Sequence, residues 1–128
     1  MTEPKAARIL IADDEPTILE LLRTVLSIWS FEIEVCGDGE SALARASEGR
    51  FALLLIDYQM PRLTGLEVLR RLRAAKRQTP AILMSGHLSE PIVQESRGLP
   101  GVQLLPKPFT IAALREALNR AQDYGDRR

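Results

Sequence analysis

Four apolar residues in succession, Leu53 to Ile56, end on a carboxylate, Asp57, and the chain then breaks into a loop carrying Met60-Pro61 and Gly65. A run this short, apolar at every position and bounded by turn residues, predicts a strand covered on both faces, here Ala52–Asp57. Strands of that kind belong to parallel sheets flanked by helices. In such sheets ligands bind in the crevice outside the carboxyl ends of the strands. The strand is therefore hidden, while Asp57 at its end is placed where chemistry can reach it.

The same layout recurs along the chain. Arg8–Ala12 is a short apolar run ended by Asp13, Asp14 and Glu15, and Pro16 opens a helix because its missing N–H would be unpaired in a first turn anyway. Ile18, Leu22, Val25, Leu26 and Trp29 recur at three and four residues, an apolar stripe for one side of a sheet. Phe31–Cys36 alternates weakly, with Glu32 and Glu34 sharing a face, and suits a strand nearer an edge. After the turn Gly37-Asp38-Gly39 a short helix runs from Glu40 to Ser47, with Gly49 expected as a left-handed C-cap.

Beyond the Asp57 loop, Leu66, Leu69 and Leu72 mark a third helix. Its other side carries Arg70, Arg71, Arg73, Lys76 and Arg77, a basic run of the kind that is ordinarily a solvated face. Pro80–Ser85 is a fourth strand, ending on a hydroxyl. Ser89 can cap a fourth helix, with Pro91 in its first turn; Gly98, Pro100 and Gly101 stop it early, which makes it the softest. Val102–Leu105 is a fifth strand running into Pro106-Lys107-Pro108. Ile111, Leu114, Leu118 and Ala121 define a last helix that runs out in the polar tail Asp123–Arg128. Five strands alternating with helices through short connections describe a doubly wound α/β parallel sheet with helices on both faces.

Length and charge narrow the function. At 128 residues the chain is expected to be one domain, residues 1–128 with a core at about 7–122, burying roughly two-thirds of its unfolded surface. Seventeen basic and seventeen acidic side chains cancel, so nothing favours nucleic acid or an anionic membrane. The single Cys36 has no internal disulfide partner and suits a small core residue. No apolar run approaches the roughly 20 residues needed to span a bilayer, and Met1 to Ala7 is too polar for a signal peptide, so a cytoplasmic protein is expected.

Lined up, the strand ends bring Asp13 with Asp14, Asp57, Ser85 and Lys107 to one rim. Three carboxylates gathered there repel unless positive charge is supplied. A divalent cation together with the Lys107 ammonium would balance them, and oxygen ligands with open positions suit Mg2+, which keeps waters and accepts a phosphate oxygen. Such a rim suits a metal and a phosphoryl group held together.

Asp13-Asp14-Glu15-Pro16, Asp57-Tyr58-Gln59-Met60-Pro61 running to Gly65, Met84-Ser85-Gly86 and Lys107-Pro108-Phe109, in this order and each at a strand end, resemble the bacterial response-regulator receiver domain of two-component signalling, the CheY-like superfamily, over essentially the whole length. The resemblance implies a flavodoxin-like fold of five helices and five strands in the order 2-1-3-4-5. Asp57 would be the nucleophile and phosphoacceptor, taking a phosphoryl group from a histidine kinase or histidine phosphotransfer protein. Asp14, Asp57 and the Gln59 carbonyl would hold Mg2+, with Mn2+ as an alternative and Asp13 acting mainly through water. Lys107 and Ser85 would meet the phosphoryl oxygens, the Lys107–Pro108 peptide would be cis, and Gln59 and His87 would set the phosphoryl lifetime. Beyond its own phosphorylation and slow dephosphorylation no enzyme activity is expected. A downstream protein would dock on helix four, strand five and helix five, with the chain a monomer or a phosphorylation-linked dimer.

Two positions depart from the family pattern. Leu104 stands where an aromatic switch residue is usual, which puts the Ser85-to-ring coupling in question, and Pro100-Gly101 replaces Gly-Ala. The Met1 start and short tail fit a free-standing regulator. The alternatives are the receiver of a hybrid histidine kinase, a phosphate-independent interaction module, and, more remotely, an aspartate-nucleophile phosphohydrolase. That last class usually places its nucleophile after the first strand with a second Asp two residues on, whereas Asp13 and Asp14 are adjacent.

Overall fold

The computed structural model describes residues 7–127; the polar opening segment up to residue 6 and Arg128 of the tail lie outside the described residues. Strands and helices alternate as β1 (Arg8–Ala12), α1 (Pro16–Ile28), β2 (Glu32–Cys36), α2 (Gly39–Glu48), β3 (Leu53–Asp57), α3 (Gly65–Ala74), β4 (Ala81–Ser85), α4 (Glu90–Arg97), β5 (Val102–Pro106) and α5 (Ile111–Arg127). All five strands are parallel, in the order β2-β1-β3-β4-β5. The order reverses between β1 and β3, and a crevice opens at their carboxyl ends.

Period-two alternation divides the core into two layers. Leu54 and Ile56 of β3, with Leu10, Ala12 and Leu83, pack under α2, α3 and α4 through Ala42, Leu69 and Ile92. Leu53 and Leu55, with Ile9, Ile11 and Ile82, pack on the other side under α1 and α5 through Leu22, Leu26 and Leu114. Every residue of β3 and β4 is buried, as a continuous apolar run requires, and the weaker pattern of β2 belongs to an edge strand. Among the described residues no helix is long and apolar enough to cross a membrane.

Helix starts follow local chemistry. The Asp38 carboxylate accepts from the Ser41 amide at 2.8 Å to cap α2, and the Thr64 hydroxyl accepts from the Glu67 amide at 3.2 Å to cap α3. Ser89 occupies the N-cap position of α4 without a side-chain cap bond.

The structure corrects three expectations. Gly49 is extended (φ −86°, ψ 163°) and not left-handed. Its lack of a side chain makes room instead, since a Cβ there would lie 2.6 Å from the Phe51 ring. The last helix does not fade at the start of the polar tail Asp123–Arg128 but stays helical through it as far as Arg127. The basic side of α3 is not uniformly solvated: Arg73 is buried and donates to the carbonyls of Pro100, Arg77 and Thr79 at 2.7–2.8 Å. Arg77 donates through Nη2 to the Ala46 and Gly49 carbonyls, both at 2.9 Å. These two guanidiniums satisfy chain ends that no neighbouring backbone can reach.

Candidate phosphoryl-transfer site

Asp57 ends β3 and is 6% exposed, whereas Asp13, one residue past β1, is fully buried and Asp14 is exposed. Their backbones are fixed by the sheet continuing into the loops: the Asp13 amide donates to the Cys36 carbonyl at 3.1 Å, and the Tyr58 amide to the Met84 carbonyl at 2.7 Å. Gly65 sets the loop's return. A Cβ at that position would sit 2.3 Å from the Asp57 carbonyl oxygen, so only glycine lets α3 start this close to the strand end.

Lys107, reaching in from the end of β5, joins the two carboxylates. Its Nζ donates to Asp13 Oδ2 at 2.8 Å and lies 3.4 Å from Asp57 Oδ1 and 3.9 Å from Glu15 Oε1. The amide of Lys107 donates to the Ser85 carbonyl at 2.8 Å, and the Lys107–Pro108 peptide is cis. Burial alone pulls the ammonium's pKa down, but the hydrogen bond to Asp13 and the charges of Asp13 and Asp57 outweigh it and leave Lys107 raised. Asp57 is pushed up to about 6, first by burial and then by the Asp13 charge, with Lys107 opposing and Asp14 adding a little. An aspartate held that high is short of positive charge.

Oxygen atoms of Asp13, Asp14 and Asp57 all lie within 4.8 Å of one another. An oxygen-only donor set of this charge, with one exposed carboxylate facing solvent, fits a hard divalent cation that retains water ligands.

The remaining residues singled out in the sequence sit around this centre without joining it. Ser85 is buried, and its hydroxyl is engaged with the backbone two residues on, donating to the His87 carbonyl at 3.0 Å and accepting from the His87 amide at 3.1 Å. His87 and Gln59 are exposed. Leu104 is partly buried against the α2–α4 layer of the core, paired in register with Leu83. Sequence reasoning missed Glu15 as a neighbour of Lys107; its place directly before Pro16, facing the same rim, was the available signal. An apolar groove of about 420 Å3 lies beside the site, formed by Ile18 and Leu21 of α1 with Lys107, Pro108 and Phe109; the family resemblance already implies that the phosphodonor docks on this surface of helix one and the Pro108 loop.

The sequence pattern of the response regulator receiver domain matches residues 9–119. Over 114 residues the chain is 32% identical to the transcriptional regulatory protein FixJ of Rhizobium meliloti, covering 89% of this chain and 56% of that one. The chain spans about half the length of the curated relatives it matches. Among solved structures, a CheY-like receiver domain protein from Methanospirillum hungatei superposes with a TM-score of 0.88 at 25% identity, covering 95% of this chain and 98% of the other. The response regulator TrrA of Thermotoga maritima, solved in complex with Mg2+ and BeF, is 31% identical with a TM-score of 0.80, covering 90% and 98%.

Proposed function

The chain belongs to the response regulator receiver domain family, and on that premise we propose that Asp57 is the phosphoacceptor, fed by a phosphohistidine on a histidine kinase or histidine phosphotransfer protein. The observation that carries the assignment is the Lys107 ammonium held between the carboxylates of Asp13 and Asp57, at 2.8 and 3.4 Å, on the rim where the strands end. Attack by an Asp57 oxygen forms the O–P bond as the donor's N–P bond breaks, and the departing imidazole keeps the electron pair and takes a proton from solvent. Such a transfer needs positioning and charge stabilisation more than proton abstraction.

Asp13, Asp14 and Asp57, with the Gln59 carbonyl, would hold Mg2+, with Mn2+ as an alternative; the TrrA complex supports the reading for Mg2+. Bound there, the cation offsets negative charge on the transferring oxygens. Lys107 contributes the protein's own positive charge from a fixed position. Gln59 and His87, both exposed beside the rim, flank the path of a hydrolytic water and set the lifetime of the acyl phosphate.

After transfer the side chain at Asp57 carries about two negative charges instead of one. Ser85 has a single O–H to give, so donating to a new oxygen takes it from the His87 carbonyl and loosens the segment leading into α4. With Leu104 in place of a ring, the change passes through this segment to the α4, β5 and α5 face, where a downstream protein docks. The phosphodonor docks in the apolar groove of α1 and the Pro108-Phe109 loop, whose rim exposes Leu21. The chain's chemistry is its own phosphorylation and slow dephosphorylation.

Intact mass after incubation with acetyl phosphate tests the assignment. A single phosphoryl adduct is expected with Mg2+, absent with chelator and absent in Asp57→Asn. An adduct that persists at full stoichiometry in that variant overturns it.

A further inference from the structure

Positive charge collects at the opposite pole of the sheet, where the strands begin. Residues 49–51, between α2 and β3, and residues 76–79, between α3 and β4, enclose a cleft of about 320 Å3 with no carboxylate in its lining. Three of its lining residues are cationic: Arg50, Lys76 and Arg77.

Ordinary helix-end chemistry accounts for only part of this charge. The carboxyl ends of α2 and α3 each bring roughly half a negative charge. Arg77, bonded to the Ala46 and Gly49 carbonyls, and Arg73, bonded to those of Arg77 and Thr79, already exceed that sum. Arg50 and Lys76 are surplus, and among the described residues neither is held in an ion pair with a carboxylate.

Three further details concern donors. Lys76 sits in the left-handed region at φ 63°, a helix-end position that suits Gly or Asn, so a lysine there carries a backbone cost that the turn itself does not require. The Nε of Arg77 is buried and has no hydrogen-bond partner among the described residues. Gln78 accepts from the Tyr124 hydroxyl at 3.3 Å through Oε1, which leaves its amide N–H groups as donors. The cleft therefore offers a guanidinium fork, an exposed ammonium, amide and hydroxyl donors, and a volume at the lower end of small-ligand sites.

We propose that this cleft binds a small phosphate-bearing anion, held by Arg50, Lys76 and Arg77 at the pole opposite Asp57. Planar guanidinium groups and a point-charge ammonium, converging from the two loops, suit the oxygens of a phosphate, which point in several directions. Because two helix carboxyl ends lie nearby, side-chain cations supply all of the favourable charge, so binding weakens steeply with salt.

The test is an amide NMR titration of the 128-residue chain carrying Asp57→Asn, without Mg2+, so that the carboxylate rim cannot report. Pyrophosphate, inorganic phosphate and citrate are the probes. Saturable shifts are expected at residues 49–51 and 76–79 with pyrophosphate and more weakly with phosphate, both reduced by added salt. Lys76→Gly relieves the left-handed strain while removing the charge. It should weaken pyrophosphate about tenfold or more, the worth of one charge-assisted hydrogen bond, without lowering the melting temperature. Arg50→Gln should weaken it similarly. The proposal fails if pyrophosphate gives no saturable response at millimolar concentration, if the shifts centre on Asp13 and Lys107, if citrate binds as tightly, or if both variants bind as the parent does.

Discussion

Asp57 is a residue the fold holds against its own preference. With its pKa raised to about 6 from an ordinary 3.8, the unfolded chain gives up this proton first as pH rises, so native stability falls between about pH 4 and 6 and then levels off. Replacing the carboxylate by an amide removes that penalty. In metal-free protein at pH 7, Asp57→Asn should be more stable by about 1–3 kcal/mol, the upper end being the full shift at 1.36 kcal/mol per pH unit. Urea melts with chelator check this, and the gain should disappear near pH 4. Cys36 makes a second prediction at this scale. Burial pushes its thiol up to about 11, with the Arg45 charge opposing and Asp38 and Glu34 adding to the rise. Iodoacetamide should therefore modify the native protein slowly at pH 8–9, roughly 50-fold or more below the unfolded chain, because only the thiolate reacts. A native alkylation profile with its midpoint near pH 9 would show the thiol to be unshielded.

At the scale of elements, β3 and β4 were legible because strands covered on both faces must be apolar at every position, and α1, α2 and α3 because their stripes recur at helical spacing. Lys107 and Asp57 could be brought together on paper because parallel strands end on one side. What could not be read is which charged residues turn inward. Arg73 lies in a basic run with Arg70 and Arg71, and nothing in residue type separates it from them. Only the packing of α3 reveals that its guanidinium ties the carbonyls before β4 and before β5. Arg73→Leu should therefore cost about 2–4 kcal/mol by removing three charge-assisted hydrogen bonds from a buried guanidinium, while Arg71→Leu, on the exposed side, should stay within about 0.5 kcal/mol in the same urea titrations. The Gly49 error has a similar origin. A glycine after a helix signals a left-handed cap by statistics, but here the demand was space beside Phe51.

For the whole molecule, a cation held by the clustered carboxylates of Asp13, Asp14 and Asp57 would couple to folding, since a ligand bound only by the native state stabilises it by mass action. Mg2+ at about ten times its dissociation constant should add about 1.4 kcal/mol, a rise of several degrees in melting temperature for a domain of this length. Thermal scans with Mg2+ and with chelator measure it, and the increment should shrink in Asp14→Asn. An Asp14→Asn increment equal to the parent's would remove Asp14 from the ligand set.

The guanidinium of Arg73 fastens one pole of the sheet, while the acidic rim lies at the other, built from Asp57 at the end of β3 and the loop that follows β1. The fastening by Arg73 and the carboxylate chemistry thus draw on separate sets of residues. The loop that carries Asp13 and Asp14 can therefore change without touching the carbonyls that Arg73 holds. An architecture divided in this way can be retuned by drift, one end at a time.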